Sequence, residues 1–268
     1  MVQRIHRAEQ HRSGIPGIEA MTLFSNHAFP RHSHDQLGIG IMTSGAQRSW
    51  SVIGQVESEA GDVIMVNPGE MHDGVPVDGC ARGWRILYLD PARVAREVAE
   101  EATDGEMIVR PVARDPQLAR HVARLFAQME NALQDNLAAD ESLLRCLMHV
   151  LQRHGIRGPS TPGASPSVQK AIRRLDDAPE LPTSLAELAA LSGVSRFQLL
   201  RGFAREVGTT PHAYLVQRRV RLVRRYLAAG RSPADAALLA GFADQSHMTR
   251  AFVRQFGITP GRYLAAIT

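Results

Sequence analysis

Gly241-Phe-Ala-Asp-Gln-Ser-His-Met-Thr-Arg-Ala-Phe-Val-Arg-Gln-Phe-Gly-Ile-Thr-Pro260 carries the punctuation of one short helix inside a larger helical unit. Gly241 stops the helix before it in the left-handed conformation that glycine allows, and the next helix starts near Asp244. Met248 and Phe252 stand one turn apart and face inward. Gln245, Ser246, His247, Thr249 and Arg250 remain on the outward face. Gln and Arg on an exposed helix have the donors and acceptors that read major-groove base edges.

The same pattern occurs upstream. Ser184-Leu-Ala-Glu-Leu-Ala-Ala-Leu-Ser-Gly193 aligns with Ser232-Pro-Ala-Asp-Ala-Ala-Leu-Leu-Ala-Gly241 at an offset of 48. After one inserted residue the offset becomes 49, pairing Arg201 with Arg250, Phe203 with Phe252, Gly208 with Gly257, Pro211 with Pro260 and Tyr214 with Tyr263. Repetition with a single insertion marks a duplicated module. Each copy reads as helix–turn–helix. Ser184 with Glu187 makes a capping box, and Ser232 precedes Pro233 at a first helical position. In the first copy the second helix starts at Ser195, with Gln198 three residues on. Leu199 and Phe203 face inward there, leaving Arg196, Phe197, Leu200 and Arg201 outside. A helical bundle with a merely solvated polar face is the plainer reading of either copy alone; the duplication weighs against it. Between the copies, Leu215, Val220, Leu222, Val223, Tyr226 and Leu227 suit one continuous helix, a rigid spacer holding both readers.

Charge divides the chain in the same way. Residues 1–164 carry 16 Arg against 20 Asp and Glu, a net −4, whereas residues 165–268 carry 15 Lys and Arg against seven acids, a net +8. A basic domain of that size points first to a polyanion, with an uninvolved basic surface as the alternative. The switch falls at Gly155-Ile-Arg-Gly-Pro-Ser-Thr-Pro-Gly-Ala-Ser-Pro166, whose prolines and glycines sustain neither helix nor ladder. The expected domains are residues 1–155 and 167–268, with 156–166 as linker.

The front domain changes period along its length. From about Ile18 to Leu89, short β-branched runs such as Val63-Ile-Met-Val66 and Arg85-Ile-Leu-Tyr-Leu89 are cut by Gly, Pro and Asp, which reads as a sandwich or barrel. From Asp115 to His154 the apolar residues fall at helical steps: Leu118, Val122, Leu125, Phe126, Met129 and Leu133, then Leu143, Leu144, Leu147, Met148 and Leu151. Two helices joined near Gln134–Ala139 either cap the strands or also pair with a second copy, for which Leu147 and Leu151 are the expected contacts. Cys80 and Cys146 fit no disulfide framework or metal spacing and read as free thiols of a reducing cytoplasm. No run approaches 18 consecutive apolar residues, and the N-terminus lacks the apolar core of a secretory signal. Trp50 and Trp84 read as core or wall in preference to a stacking cage.

The Gly241–Pro260 segment resembles the signature of the AraC/XylS family of bacterial transcription regulators, and Ser195-Arg-Phe-Gln-Leu-Leu-Arg-Gly-Phe203 resembles that family's first recognition helix. The resemblance runs from about Ser167 to the end. It implies seven helices holding two helix–turn–helix units whose recognition helices enter successive major grooves. By position it implies DNA contacts for Arg196, Phe197 and Arg201 in the first unit and for Gln245, Ser246 and Arg250 in the second. Phe197 departs from the usual polar reader, which implies contact with a thymine methyl or packing on sugar.

Pro30-Arg-His-Ser-His34 places two histidines at alternate positions, and Gly61-Asp-Val-Ile-Met-Val-Asn-Pro-Gly-Glu-Met-His72 adds a third after a strand and a turn. Residues 15–90 resemble the small-molecule-sensing domain of the same regulators, a cupin-like β-barrel. In metal-binding cupins a glutamate follows the second histidine within a few residues. Asp35-Gln-Leu-Gly-Ile-Gly40 supplies none, so neither a metal nor any other cofactor is expected. Three readings of His32, His34 and His72 stand open: polar residues at a barrel mouth, contacts to an organic effector, or a three-histidine site for zinc or iron. The expected fold is a two-domain α+β chain, a cupin-like barrel with a helical hairpin followed by an all-α domain. The resemblance implies a cytoplasmic, effector-responsive, sequence-specific DNA-binding regulator without a chemical step. Its implied partners are promoter DNA, a small-molecule effector, a second copy of the chain and, as a candidate, RNA polymerase, with no membrane. The rival is a metal-dependent cupin enzyme fused to a DNA-binding domain.

Overall fold

The computed structural model describes residues 5–11, 13, 15–51, 53–98, 107–130, 136–157 and 164–267. The chain divides between residues 159 and 160 into two compact units. That point falls in the stretch expected as a linker, but the expectation that the whole stretch sustains neither helix nor ladder fails at its ends. Gly155–Arg157 pair with Met107–Val109, and Pro166 opens a helix because proline suits a first helical position. Residues 158–163 lie outside the described residues.

The first unit contains strands β1 (His6–His11), β2 (Ile18–Ser25), β3 (Phe29–His32), β4 (Leu37–Ser44), β5 (Ala46–Ser51), β6 (Gly54–Glu59), β7 (Val63–Val66), β8 (His72–Pro76) and β9 (Arg82–Leu89). Helix α1 (Pro91–Glu97) follows, then β10 (Met107–Val109), β11 (Val112–Ala113), α2 (Pro116–Glu130), α3 (Asn136–His154) and β12 (Gly155–Arg157). One sheet runs β1-β2-β9-β4-β7-β11, a second runs β3-β8-β5-β6, and β10 pairs with β12 apart from both. The expected barrel is therefore realised as two separate sheets whose ladders do not close on each other. Only Gly45, at φ +68°, separates β4 in the first sheet from β5 in the second. That turn, with a register shift between Met42 and Ser44, redirects the chain across sheets where a barrel would continue the ladder.

The two-residue period of β9 assigns each face of the large sheet a task. Leu87 and Leu89 join Ile39 and Met65 in the core beneath the helices, and the Arg85 guanidinium lies over the Phe126 ring of α2. On the opposite face Trp84 meets Phe29 of β3, and Tyr88 meets His34. Helix α2 buries Leu118, Val122, Leu125, Phe126 and Met129, while α3 buries Leu143, Cys146, Leu147 and Val150. The hairpin residues named as a pairing face are thus spent as a cap: Leu147 is inside the core and Leu151 packs on it, because the buried stripe of α3 runs through both. Among the α3 leucines whose side chains are described, Leu144 is the one turned to solvent, 40% exposed. The expected junction lies partly outside the described residues, as does Leu133, and α3 is already helical from Asn136. Burial pushes the Cys146 thiol up to about 12, so it is a packing residue, whereas Cys80 is an exposed free thiol.

The second unit has seven helices among its described residues: α4 (Pro166–Asp177), α5 (Leu185–Ser192), α6 (Arg196–Glu206), α7 (Pro211–Ala228), α8 (Pro233–Leu239), α9 (Gln245–Phe256) and α10 (Pro260–Ile267). The expected caps are present. Ser184 with Glu187 and Ser195 with Gln198 form reciprocal capping boxes, and Asp244 accepts the His247 amide at 2.6 Å. Helix α7 is unbroken, burying Leu215, Val220, Val223 and Leu227 between the two halves of the repeat. Leu199 and Phe203 in one half, and Met248 and Phe252 in the other, are fully inward.

Gly241 links α8 to α9 at φ +80°, and a Cβ there would stand 2.2 Å from the Glu180 carbonyl oxygen. Gly241→Ala should therefore lower the stability of the helical unit by about 1–3 kcal/mol through overpacking and backbone strain. Denaturant unfolding at matched conditions measures this, and wild-type stability would show that the 180 segment yields freely.

Candidate functional site

The two second helices of the repeat, α6 and α9, present their first turns to solvent. Arg196, Phe197, Arg201, Gln245, Ser246 and Arg250 are all exposed, Phe197 by 66%. His247 and Thr249, expected outside, are half-buried, since His247 turns its ring edge onto Phe242 at 5.2 Å. Arg201 lies over the Phe197 ring at 5.6 Å, so the departure from a polar reader still supports a cation one turn on.

Three other arginines of the unit are committed to the scaffold. Arg218 pairs with Asp176 at 2.9 Å, and Arg219 donates to the Pro179 and Leu181 carbonyls. Arg174 holds the Ala178 carbonyl. Among the described residues Arg196 and Arg250 have no such partner. Their charge is directed outward, where a phosphate or a base edge can meet it.

In the first unit the structure brings the three histidines together. His32 closes β3 opposite His72 on β8, and His34 follows two residues later. Ring centroids lie 4.8 Å apart for His32 and His34, 4.4 Å for His32 and His72, and 5.0 Å for His34 and His72. His32 Nδ1 donates to the Pro30 carbonyl at 2.7 Å, and His72 Nδ1 to the Glu70 carbonyl at 3.0 Å. A carbonyl only accepts, so each Nδ1 carries the proton and each Nε2 keeps its lone pair. Burial pushes the His72 ring down to about 4, the bond to Glu70 working the other way. His32 and His72 thus turn Nε2 into a cluster with His34 whose candidate ligand atoms lie within 4.8 Å of one another. Such atoms can accept hydrogen bonds from a ligand or ligate a borderline cation. The group contains no carboxylate, and Asp35 is exposed.

A hydrogen-bonded path leads away from this cluster. The Glu70 carboxylate accepts from the Asn67 amide at 3.0 Å and from its side-chain Nδ2 at 2.6 Å. Asn67 in turn clasps β10, its Oδ1 accepting from the Val109 amide at 2.7 Å and its Nδ2 donating to the Val109 carbonyl at 3.1 Å. Val109 pairs with Gly155 of β12. Sequence reading missed this path, and its one local signal was the Asn67-Pro-Gly-Glu70 turn itself. It also missed the buried Arg82 and the Asp115, His149 and His154 group, whose members lie 34 and 39 residues apart. Trp84 is in the core, and half-buried Trp50 lies beneath the Arg31 guanidinium at 4.1 Å.

Residues 17–147 match the family described as AraC-like ligand binding domain, and residues 188–266 match a helix-turn-helix domain family. The protein called "Uncharacterized HTH-type transcriptional regulator YbfI" of Bacillus subtilis is 30% identical over 226 residues, covering 82% of this chain and 81% of that relative. The HTH-type transcriptional regulator MtrA of Neisseria gonorrhoeae is 34% identical over 95 residues, 34% of this chain and 31% of MtrA. Among solved structures, ToxT from Vibrio cholerae O395 aligns with a TM-score of 0.55 at 9% identity, covering 99% of this chain and 98% of ToxT. A second ToxT structure, from strain SCE256, contains an unsaturated fatty acid and aligns at 0.54 with 10% identity, covering 100% of this chain and 97% of that one. At those identities the likeness is one of fold.

The histidine cluster sets a pH dependence whose sign follows from the lowered value at His72. An unfolded chain takes up a proton near 6.5, whereas the folded ring does so near 4. The stability that depends on a neutral His72 is complete above pH 6.5 and drains away as the pH falls toward 4. Thermal unfolding of the full chain across that window should show a declining Tm, and His72→Gln should flatten the decline. An identical decline in the variant would remove the desolvated imidazole as its source.

Proposed function

Because this chain belongs to the AraC-type family of helix-turn-helix transcription regulators, we propose that it reads promoter DNA through α6 and α9 and answers to an effector held at His32, His34 and His72. The observation that carries the DNA reading is the pair of exposed helix faces on which Arg196, Arg201 and Arg250 point outward, while Arg218 and Arg219 of α7 hold the scaffold. Residues 167–268 are the reader, residues 1–155 together with the end of β12 at Arg157 the sensor, and the stretch on to 166 the connection between them. The two recognition helices, carried by one unbroken α7, contact major-groove segments about 10 base pairs apart. Arg250 and Gln245 supply the polar readout of the second segment, and Arg196, Phe197 and Arg201 that of the first. The regulator acts in the cytoplasm, where promoter DNA is, and carries out no chemical step.

The effector presents hydrogen-bond donors. His32 and His72 have their N–H groups occupied by backbone carbonyls, so their Nε2 atoms accept and do not give. Response requires that the effector bind the two states of the protein unequally. The Glu70–Asn67–Val109 path supplies the physical link, since it joins the carbonyl that orients His72 to the β10–β12 pair from which the chain leaves the sensor. A second copy of the chain docks on the outer side of α3 around Leu144, which is 40% exposed.

Three measurements test this reading. Arg250→Ala should cost roughly 1–3 kcal/mol in operator affinity and relax preference at one base pair if the guanidinium grips guanine. A loss equal across all sequences would assign Arg250 to phosphate. His34→Ala should abolish the effector response with basal DNA binding intact, while Asn67→Ala should retain effector binding but blunt its effect on operator occupancy. An unchanged response in both variants would return the cluster and the path to structural roles. Leu144→Arg should convert a dimer to monomers in sedimentation, and a monomeric wild type at micromolar concentration would refute the docking face.

A further inference from the structure

Asp115 stands at the start of α2 and uses its two carboxylate oxygens differently. Oδ1 accepts the amides of Gln117 and Leu118 at 2.9 and 3.0 Å, which caps the helix and fixes the carboxylate plane. Oδ2 faces the last turns of α3, where His149 Nε2 and His154 Nε2 approach it at 2.8 and 2.9 Å. The three candidate ligand atoms lie within 4.8 Å of one another. All three side chains are largely shielded, at 7% to 13% exposure. The His121 ring of α2 stands 5.4 Å from that of His149, which places a third imidazole beside the group.

Burial works against ionisation of Asp115, but the hydrogen bonds from His149, Leu118, His154 and Gln117 outweigh it and hold the carboxyl well below the usual range. Two imidazole nitrogens thus meet one shielded carboxylate oxygen. A single histidine would suffice to staple α3 to the cap of α2. Two on the same oxygen, with the other oxygen anchored to backbone, form a convergent and oriented donor set.

We propose that Asp115, His149 and His154 form a binding site for a divalent transition cation of the zinc class. Two imidazoles and one carboxylate are the donors such an ion takes at about 2.0–2.2 Å, with a further position open to water or to His121. Magnesium and calcium, which favour oxygen donors throughout, fit this set poorly. On binding, each Nε2 gives up its proton and turns its lone pair to the ion while a proton is taken up at Nδ1. Both Nε2 lone pairs and the Asp115 carboxylate then face the ion.

The position gives the ion a consequence. His154 is the last residue of α3, its carbonyl accepts the Arg110 amide at 3.1 Å, and the next residue opens β12 against β10. An ion tying α2 to this turn steadies the same β10–β12 pair at which the path from the histidine cluster ends. Metal supply then tunes how firmly the sensor's last elements are held, separately from the effector at His32, His34 and His72.

The test is equilibrium dialysis of chelator-stripped full-length protein against Zn²⁺, with Co²⁺ as the spectroscopic probe. The wild type and His34→Ala should each retain an ion at this site and gain thermal stability from it by mass action. Asp115→Asn, His149→Gln and His154→Gln should each weaken that binding by at least the roughly tenfold that loss of even a supporting partner costs. Asn still caps a helix, and far-ultraviolet circular dichroism confirms that each variant is folded; should Asp115→Asn melt, His154→Gln at the helix end carries the comparison. Failure of the wild type to bind, or binding unchanged in all three variants but lost in His34→Ala, overturns the proposal and leaves the group a hydrogen-bonded staple.

Discussion

The Arg82 guanidinium lies wholly out of water and donates four hydrogen bonds, to the Ser25 and His27 carbonyls at 2.8 and 2.7 Å, the Gly74 carbonyl at 3.1 Å and Gln47 Oε1 at 3.1 Å. Arg82 and Ser25 belong to the large sheet, whereas Gly74 and Gln47 belong to the small one. The group holds together two ladders that do not otherwise close. No carboxylate pairs with it among the described residues, and burial pushes it down to about 10. Neutral acceptors and the Trp84 and Phe29 rings, 5.0 and 5.7 Å away, offset that cost. Lysine has one point of charge and cannot span four acceptors arranged around a planar fork. Gly74 lets this happen, because a Cβ there would stand 2.9 Å from Gln47 Oε1. Fixing β8 and the start of β3 against the large sheet is what brings His72 opposite His32.

The helical unit solves the complementary problem of keeping charge out in water. A net +8 would be an unspecific attraction if every arginine were equivalent. They are not. Arg218 with Asp176 and Arg219 with two carbonyls of the 179–181 turn hold α7 to the end of α4 and the segment after it, and Tyr214 adds a bond to Asp176 at 2.9 Å. The long helix thereby becomes a fixed spacer. The arginines of α6 and α9 inherit a helix orientation they do not have to provide for themselves, which would lower the entropy lost in the proposed groove contacts.

Legibility in the sequence tracks how local each determinant is. The helix–turn–helix repeat was readable because caps, glycine stops and inward pairs such as Met248 and Phe252 act within one or two turns. The histidine trio was readable as a motif, since a two-residue alternation and a turn suffice to suggest convergence. Other features depend on contacts across the fold. The open sheets follow from one turn at Gly45 and from Arg82, a charge that pattern reading assigns to the surface. Leu147 looked available for a partner because periodicity shows that a helix has an apolar face without showing what covers it. Asp115, His149 and His154 meet only after α2 and α3 have docked.

Under the proposed function, these long-range contacts also decide where a signal from the histidine cluster travels. A histidine whose Nδ1 is held by the Glu70 carbonyl cannot turn toward a ligand without disturbing Glu70, and the Glu70 carboxylate is the acceptor that orients Asn67. Asn67 has both ends of its amide committed, to Glu70 and to Val109, so rotation would break bonds at each end together. A buried network satisfied in this way has few intermediate arrangements, because a partly satisfied one costs about 1–3 kcal/mol for each orphaned group. That makes the path two-state in character, the property that coupling between sites requires. The carbonyls that pre-orient the histidines thus also commit the Glu70–Asn67 turn to respond as a unit, and they do so at the strand pair that ends the sensor.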